Sequence, residues 1–168
     1  MEENYFAYFP GNYRWSAGLL LALATAPWGS GDIGEIDRIG KRLRTNSGND
    51  EAWFKEWSRM GEALQKTAEE ASHRGYAVTA SGFFQRACMY YQVGERFRQP
   101  KDHQAMDIYR RSVHCFQEAA KRIDHPIIEP VEIPYENGQF LPALLVKDSV
   151  NRNRSRTFLQ IRCGACHR

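Results

Sequence analysis

The chain has 168 residues, of which 42% are hydrophobic and 26% charged, and its net charge is +3. That length suits one domain with a real core, or a domain plus a fragment, and the composition excludes wholesale disorder. The small charge, spread along helices among acidic neighbours, gives nucleic-acid binding little footing: the lone basic cluster, Arg152, Arg154 and Arg156, lies in a polar Ser/Asn stretch that reads as a solvated loop.

Residues 13–26 read as a mostly buried helix ended by Pro27 and the Gly29-Ser-Gly31 turn. The run from Ala17 to Ala26 imitates an export signal, but Glu2 and Glu3 stand where a basic patch belongs, and the run is too short to span a bilayer. A second helix is expected from Asp32, with Glu35 completing a capping box and Ile33, Ile36, Ile39 and Leu43 at helical spacing. A third should run from about Asp50 to His73, with Trp53, Trp57, Met60, Leu64, Ala68 and Ala71 along one face. Gly75 separates it from a fourth, about 76–98, striped by Tyr76, Ala80, Phe83, Ala87, Tyr90 and Phe97. The fifth, beginning after Pro100 and Asp102, carries Met106, Tyr109, Val113, Phe116, Ala120 and Ile123. Short links between such helices make antiparallel neighbours.

From Pro126 the period changes. Residues 127–135 and 140–146 flank an Asn137-Gly138 turn, a strong local hairpin signal, and Phe158–Ile161 is a third apolar run. Pro130, Pro134 and Pro142 cannot donate ladder hydrogen bonds, so both hairpin strands are expected at sheet edges. The expected fold is mainly α: a helical bundle, then a β-hairpin and a short third strand that open a larger sheet.

Two motifs carry chemistry elsewhere. Gly29-Ser-Gly31-Asp-Ile-Gly34 matches a dinucleotide fingerprint, but a helix follows it where the fingerprint needs a βαβ unit, so it reads as a helix-to-helix turn. Cys163-Gly-Ala-Cys166-His167 matches haem attachment, yet one residue after His167 leaves little wrap, and as zinc ligands the set is one short. It reads as an unstructured tail. Cys88 and Cys115 fall on apolar helix sides, and the cysteine usage suits a reducing, cytoplasmic setting. His103, His114 and His125 lack metal spacing. No cofactor or metal is expected.

Tyr5-Phe-Ala-Tyr-Phe-Pro-Gly-Asn-Tyr-Arg-Trp-Ser16, Gly34-Glu-Ile-Asp-Arg-Ile-Gly40, Asp50-Glu-Ala-Trp-Phe-Lys-Glu-Trp57 and Arg86-Ala-Cys-Met-Tyr-Tyr91, followed by the Tyr109-to-Ala120 helix and the hairpin, form a set. Together they resemble the N-terminal part of α/β hydrolases of the 2,6-dihydroxypseudooxynicotine hydrolase and FrsA-like esterase type, to which fungal pigment-pathway polyketide hydrolases are similar. The resemblance implies that residues 1–124 are a helical cap, that 125–161 hold the first strands of an incomplete hydrolase core, and that 162–168 are a tail. It implies a parent that hydrolyses a C–C or ester bond in a small aromatic or polyketide-like substrate, by an activated Ser with backbone oxyanion donors.

No G-x-S-x-G occurs in the chain, so no catalytic residue carries over, and the chain alone is expected to be inactive. The change after Ile161 raises the expectation of a truncated gene product. Substrate contact is expected from the aromatics of the fourth helix, Phe83, Tyr90 and Tyr91. Neither nucleic acid nor membrane is an expected partner, and a homo-oligomer is compatible with the sequence. Two alternatives stay open: a tetratricopeptide-like interaction module built on the third to fifth helices, and an exported c-type cytochrome.

Overall fold

The computed structural model describes residues 6–147 and the backbone of residues 157–161. Among them are five helices, α1 (Tyr13–Ala24), α2 (Ile33–Leu43), α3 (Asp50–His73), α4 (Ala77–Glu95) and α5 (His103–Ala120), followed by strands β1 (Ile127–Pro134), β2 (Phe140–Lys147) and β3 (Thr157–Ile161). The chain divides into two compact units, one ending at Ala119 and the other beginning at Ala120.

Asn and Asp residues start four of the helices, because a short side-chain oxygen can accept the orphan N–H groups of a first turn. Asn12 accepts from Trp15 N–H at 3.0 Å, Asp32 from Glu35 N–H at 2.8 Å and Asp102 from Ala105 N–H at 2.9 Å. Asn49 accepts from both Glu51 and Ala52. The α1–α2 link is a turn through Ala26–Trp28 and Gly29, whose φ of 74° favours glycine. The helix-to-helix reading of that glycine-rich segment holds.

An aromatic column runs through the helical unit. Phe9 meets Trp15 edge-on at 5.3 Å, Trp15 meets Trp53 at 5.0 Å, Trp53 meets Trp57 at 5.4 Å, and Trp57 meets Tyr90 edge-on at 5.5 Å. All five rings are buried. Two indoles also find polar partners: Trp15 Nε1 donates to Asp50 at 3.0 Å and Trp53 Nε1 donates to the Val93 carbonyl at 2.8 Å.

Helices α3 and α4 approach closely where one lacks a side chain. A Cβ on Gly61 would stand 2.8 Å from the ring of buried Tyr91, and one on Gly94 would stand 3.0 Å from Cβ of Trp57.

Four details differ from the sequence reading. The outer face of α1 is open, with Tyr13, Leu20 and Leu21 exposed, because Trp15, Ser16, Gly18, Leu19 and Ala22 turn inward. Tyr76 lies before α4 and is exposed, and Phe97 lies beyond its end, packed on Trp53 at 5.0 Å. On α5 the buried positions are Ala105, Ser112, Cys115 and Ala119. The larger Met106, Tyr109, Val113 and Phe116 are half-buried, since small side chains admit a closer helix approach.

The fourth concerns the sheet, whose order is β1-β2-β3 with both pairings antiparallel. β1 is an edge, as its prolines require, but β2 is central. The β2–β3 ladder starts at Ala143, so Pro142 lies just outside it and its missing N–H is not needed there. Asn137 and Gly138 both take positive φ, 57° and 73°, as the Asn-Gly pair predicts for the hairpin turn.

Gly61→Ala should therefore lower the midpoint of denaturant unfolding, since overpacking of about 1–3 kcal/mol outweighs the roughly 1 kcal/mol of helix propensity gained. Gly82→Ala, where a new Cβ meets nothing within 4 Å, should raise it.

Candidate functional site

The fourth helix carries the aromatics expected to touch substrate, and the structure gives each a different setting. Tyr90 is fully buried, and its phenol is inserted into the start of α2. The Asp32 N–H donates to the Tyr90 oxygen at 2.9 Å, and the Tyr90 O–H donates to Glu35 Oε2 at 2.8 Å. A capping box would close this turn with Glu35 reaching Asp32 N–H directly. Here the phenol bridges the two.

Glu35 is itself buried, and Arg86 Nη1 stands 3.5 Å from its Oε1. The Arg86 guanidinium covers the Phe83 ring, its central carbon lying 4.7 Å from the ring centre. Phe83, Arg86, Glu35, Tyr90 and Asp32 thus form one connected cluster between α4 and α2. Tyr91 is not part of it: its O–H donates to Gln65 on α3 at 2.9 Å. Phe83 is half-buried and packs against the core, whereas both tyrosines are fully buried.

Burial pushes the Tyr90 phenol far above its ordinary range, despite the opposing Asp32 N–H, and the Glu35 carboxylate pushes it further. Tyr91 is pushed up to about 12, chiefly by burial, with Arg111 opposing. Both are therefore neutral at ordinary pH, and Tyr90 bridges by hydrogen bonds while keeping its proton. Burial also pushes the Cys115 thiol up to about 12, the signature of an inert core thiol.

Among the described residues the helical unit has three clefts whose lining does not include Phe83, Tyr90 or Tyr91. One of about 360 Å³ lies among Arg14, Asp50, Phe97, Arg98 and Asp102. Its charges are engaged with one another: Arg14 pairs with Asp50 at 2.7 Å, and Arg98 pairs with Glu51 and, at 2.8 Å, with Asp102. A second, about 420 Å³, runs between α3 and α5 past Phe54, Ser58, Ile108 and Arg111. The third, about 440 Å³, lies beside Tyr8, Phe9 and Arg44. Among the described residues no group of three His, Cys, Asp or Glu side chains gathers as metal ligands, and no helix is long and apolar enough to cross a membrane. Cys163, Cys166 and His167 lie outside the described residues.

Sequence reasoning found Tyr90 and Glu35 separately and missed that they meet. Arg86 enters the sequence reading only within the run Arg86-Ala-Cys-Met-Tyr-Tyr91. The available signal was spacing: Glu35 precedes Ile39 by one helical turn, which puts a carboxylate on the buried side of α2. A buried carboxylate needs donors.

No family model matches the chain. Curated proteins do: it is 31% identical over 137 residues to the α/β hydrolase xenA of Xenoacremonium sinensis and 28% identical over 137 residues to the α/β hydrolase pydG of an Acremonium species. The chain is a relative of the α/β hydrolases. The hydrolase acrC of Aspergillus aculeatus is 29% identical over 133 residues. These alignments take in 82%, 82% and 78% of this chain but 32%, 32% and 30% of the relatives, so it spans about a third of their length. Among solved structures, 2,6-dihydroxy-pseudo-oxynicotine hydrolase has a similar fold, with a TM-score of 0.57 at 15% identity over 80% of this chain and 34% of that one. The expected fold, a helical cap bundle followed by the start of an α/β-hydrolase sheet, is the one observed.

Two outcomes are expected from this geometry. Tyr90→Phe strands the Asp32 N–H and takes a donor from the buried Glu35 carboxylate, and should destabilise the fold by about 1–3 kcal/mol in urea titrations. Tyr91→Phe should do less, because half-exposed Gln65 can turn to water. Separately, the Arg98 fork and the Ala105 N–H hold the Asp102 carboxyl at about 2. The folded form is thus favoured above the ordinary Asp pKa of about 4, and that gain is lost as pH falls through about 2. Thermal unfolding of Asp102→Asn across that window should show a flatter acid limb than the parent.

Proposed function

We propose that this chain supplies the cap and first core strands of an α/β hydrolase that cleaves a C–C or ester bond in an aromatic or polyketide-like substrate. The observation that carries the reading is the match to proteins named as α/β hydrolases along four fifths of the chain, confined to about a third of their own length. On this reading residues 1–124 serve as the cap, residues 125–161 begin the core, and the Ser, acid and His of the reaction belong to sequence this chain does not contain. The cap's work is to shape the pocket and exclude water while backbone donors in the core stabilise the oxyanion.

The aromatics of α4 divide that work. On this reading Phe83, the one of the three aromatics that is not fully buried, is the member that meets an aromatic substrate. Tyr90 and Tyr91 act one step back: their hydroxyls are engaged with Glu35 and Gln65, so they fix α4 against α2 and α3 and thereby fix Phe83.

The chain alone should be inactive. Purified protein incubated with an activated aryl ester is expected to show no hydrolysis above a buffer control. A rate that follows the protein through purification and resists Ser-directed inhibitors would refute this reading. Joined to the catalytic part of a relative, Phe83→Ala should raise KM with kcat little changed, as loss of a substrate contact outside the reacting atoms does.

A further inference from the structure

The cleft beside Tyr8 has one wall that is held rigidly in place. Tyr8 belongs to the segment ahead of α1, yet its phenol reaches α2, where it donates to the Asp37 carboxylate at 2.8 Å. Its ring lies against Gly40, where a Cβ would run into it. The Arg44 guanidinium lies over the same ring, its central carbon 5.0 Å from the ring centre. Burial and the Asp37 carboxylate raise the Tyr8 phenol above its ordinary range, with Arg44 opposing, so the ring stays neutral beneath the cation. A ring gripped by its hydroxyl and by a helix backbone has few rotamers left, and Arg44 is stacked on a fixed platform.

Arg44 has no carboxylate of its own. Asp37 is taken by Lys41 at 2.6 Å and by Tyr8. Among the described residues no carboxylate comes within ion-pair distance of Arg44, although the side chain is exposed and carries five N–H donors. Ser47 lines the same cleft, and its oxygen is met only at 3.5 Å by the Asn12 amide. Its hydroxyl proton donates to no described residue. Ala7, Tyr8 and Pro10 add apolar surface to the lining, and of the described lining residues Arg44 alone is charged.

We propose that this cleft binds a small organic acid, its carboxylate on Arg44 and Ser47 and its apolar body along Ala7, Tyr8 and Pro10. The volume of about 440 Å³ is of the size that small-molecule sites have. A guanidinium edge meets a carboxylate through two parallel N–H···O bonds, and the serine hydroxyl supplies a further donor. One unpaired positive charge in the lining matches the single negative charge of a carboxylate, which a phosphate monoester exceeds. Because Arg44 already rests on a fixed ring, the ligand meets a donor set that needs little ordering. The site lies within the helical unit, shares no residue with the Phe83 cluster and does not depend on the hydrolase reading.

The test uses the whole 168-residue chain and benzoate as the probe. In nitrogen-edited NMR the Arg44 Nε–H and the Ser47 amide should shift together and saturate, in the millimolar range suited to so small a ligand. Benzamide, which has the same body without the charge, should leave both in place. Acetate, which has the charge without the body, should bind about tenfold more weakly. Arg44→Gln should weaken benzoate by about tenfold or more. Ser47→Ala, on an exposed link between helices, should weaken it several-fold, and it keeps the test decisive should Arg44→Gln fail to fold. No saturable shift at Arg44 would overturn the proposal. So would benzamide or acetate binding as well as benzoate, or a benzoate affinity unchanged in the folded variants.

Discussion

The helical unit depends on one aromatic column. Phe9, Trp15, Trp53, Trp57 and Tyr90 touch in sequence, and each comes from a different part of the chain or a different turn of a helix. Large rings bury the most apolar surface per residue, so the column supplies a large share of what opposes chain entropy. It also sets the geometry. Rings in contact leave few alternative packings, and the two indole hydrogen bonds, to Asp50 and to the Val93 carbonyl, fix where α3 starts and where α4 passes.

The column ends in a polar closure. Tyr90 delivers its ring to Trp57 and its hydroxyl to the first turn of α2, where it joins the Asp32 N–H to the Glu35 carboxylate. One side chain therefore couples the core to a helix cap, and through Glu35 to Arg86 and the Phe83 ring. That is a reason for the aromatic face of α4 to be rigid, and rigidity in supporting groups is what the proposed substrate-shaping role needs. Tyr91 makes the matching attachment to α3, opposite the missing side chain of Gly61.

Much of this was legible in the sequence. Helix starts were written in Asn12, Asp32, Asn49 and Asp102, whose oxygens cap the first turns, and the hairpin was written in Asn137-Gly138. Periodicity placed α3 well because the large Trp53, Trp57 and Leu64 mark its buried side. It misplaced the face of α5, where the contact is made by Ala105, Ser112, Cys115 and Ala119 and the large Met106, Tyr109, Val113 and Phe116 sit to one side. A hydrophobicity stripe follows size, whereas the closest packing follows smallness. The Tyr90 bridge was illegible for another reason: it joins residues 58 and 55 positions apart, and no local pattern encodes such a meeting. Pro142 was read as an edge signal because the sequence could not say where the β2–β3 ladder would begin.

The central claim is that the aromatic column organises the helical unit and leaves one tryptophan outside it. The four indole N–H groups provide a direct readout by hydrogen exchange followed with NMR. Trp15 and Trp53, buried and bonded, and Trp57, buried beside them, should exchange slowly and together, through unfolding of the unit. Trp28, exposed at its turn, should exchange orders of magnitude faster under conditions where the chain is monomeric. Four indoles exchanging at similar rates would contradict the account.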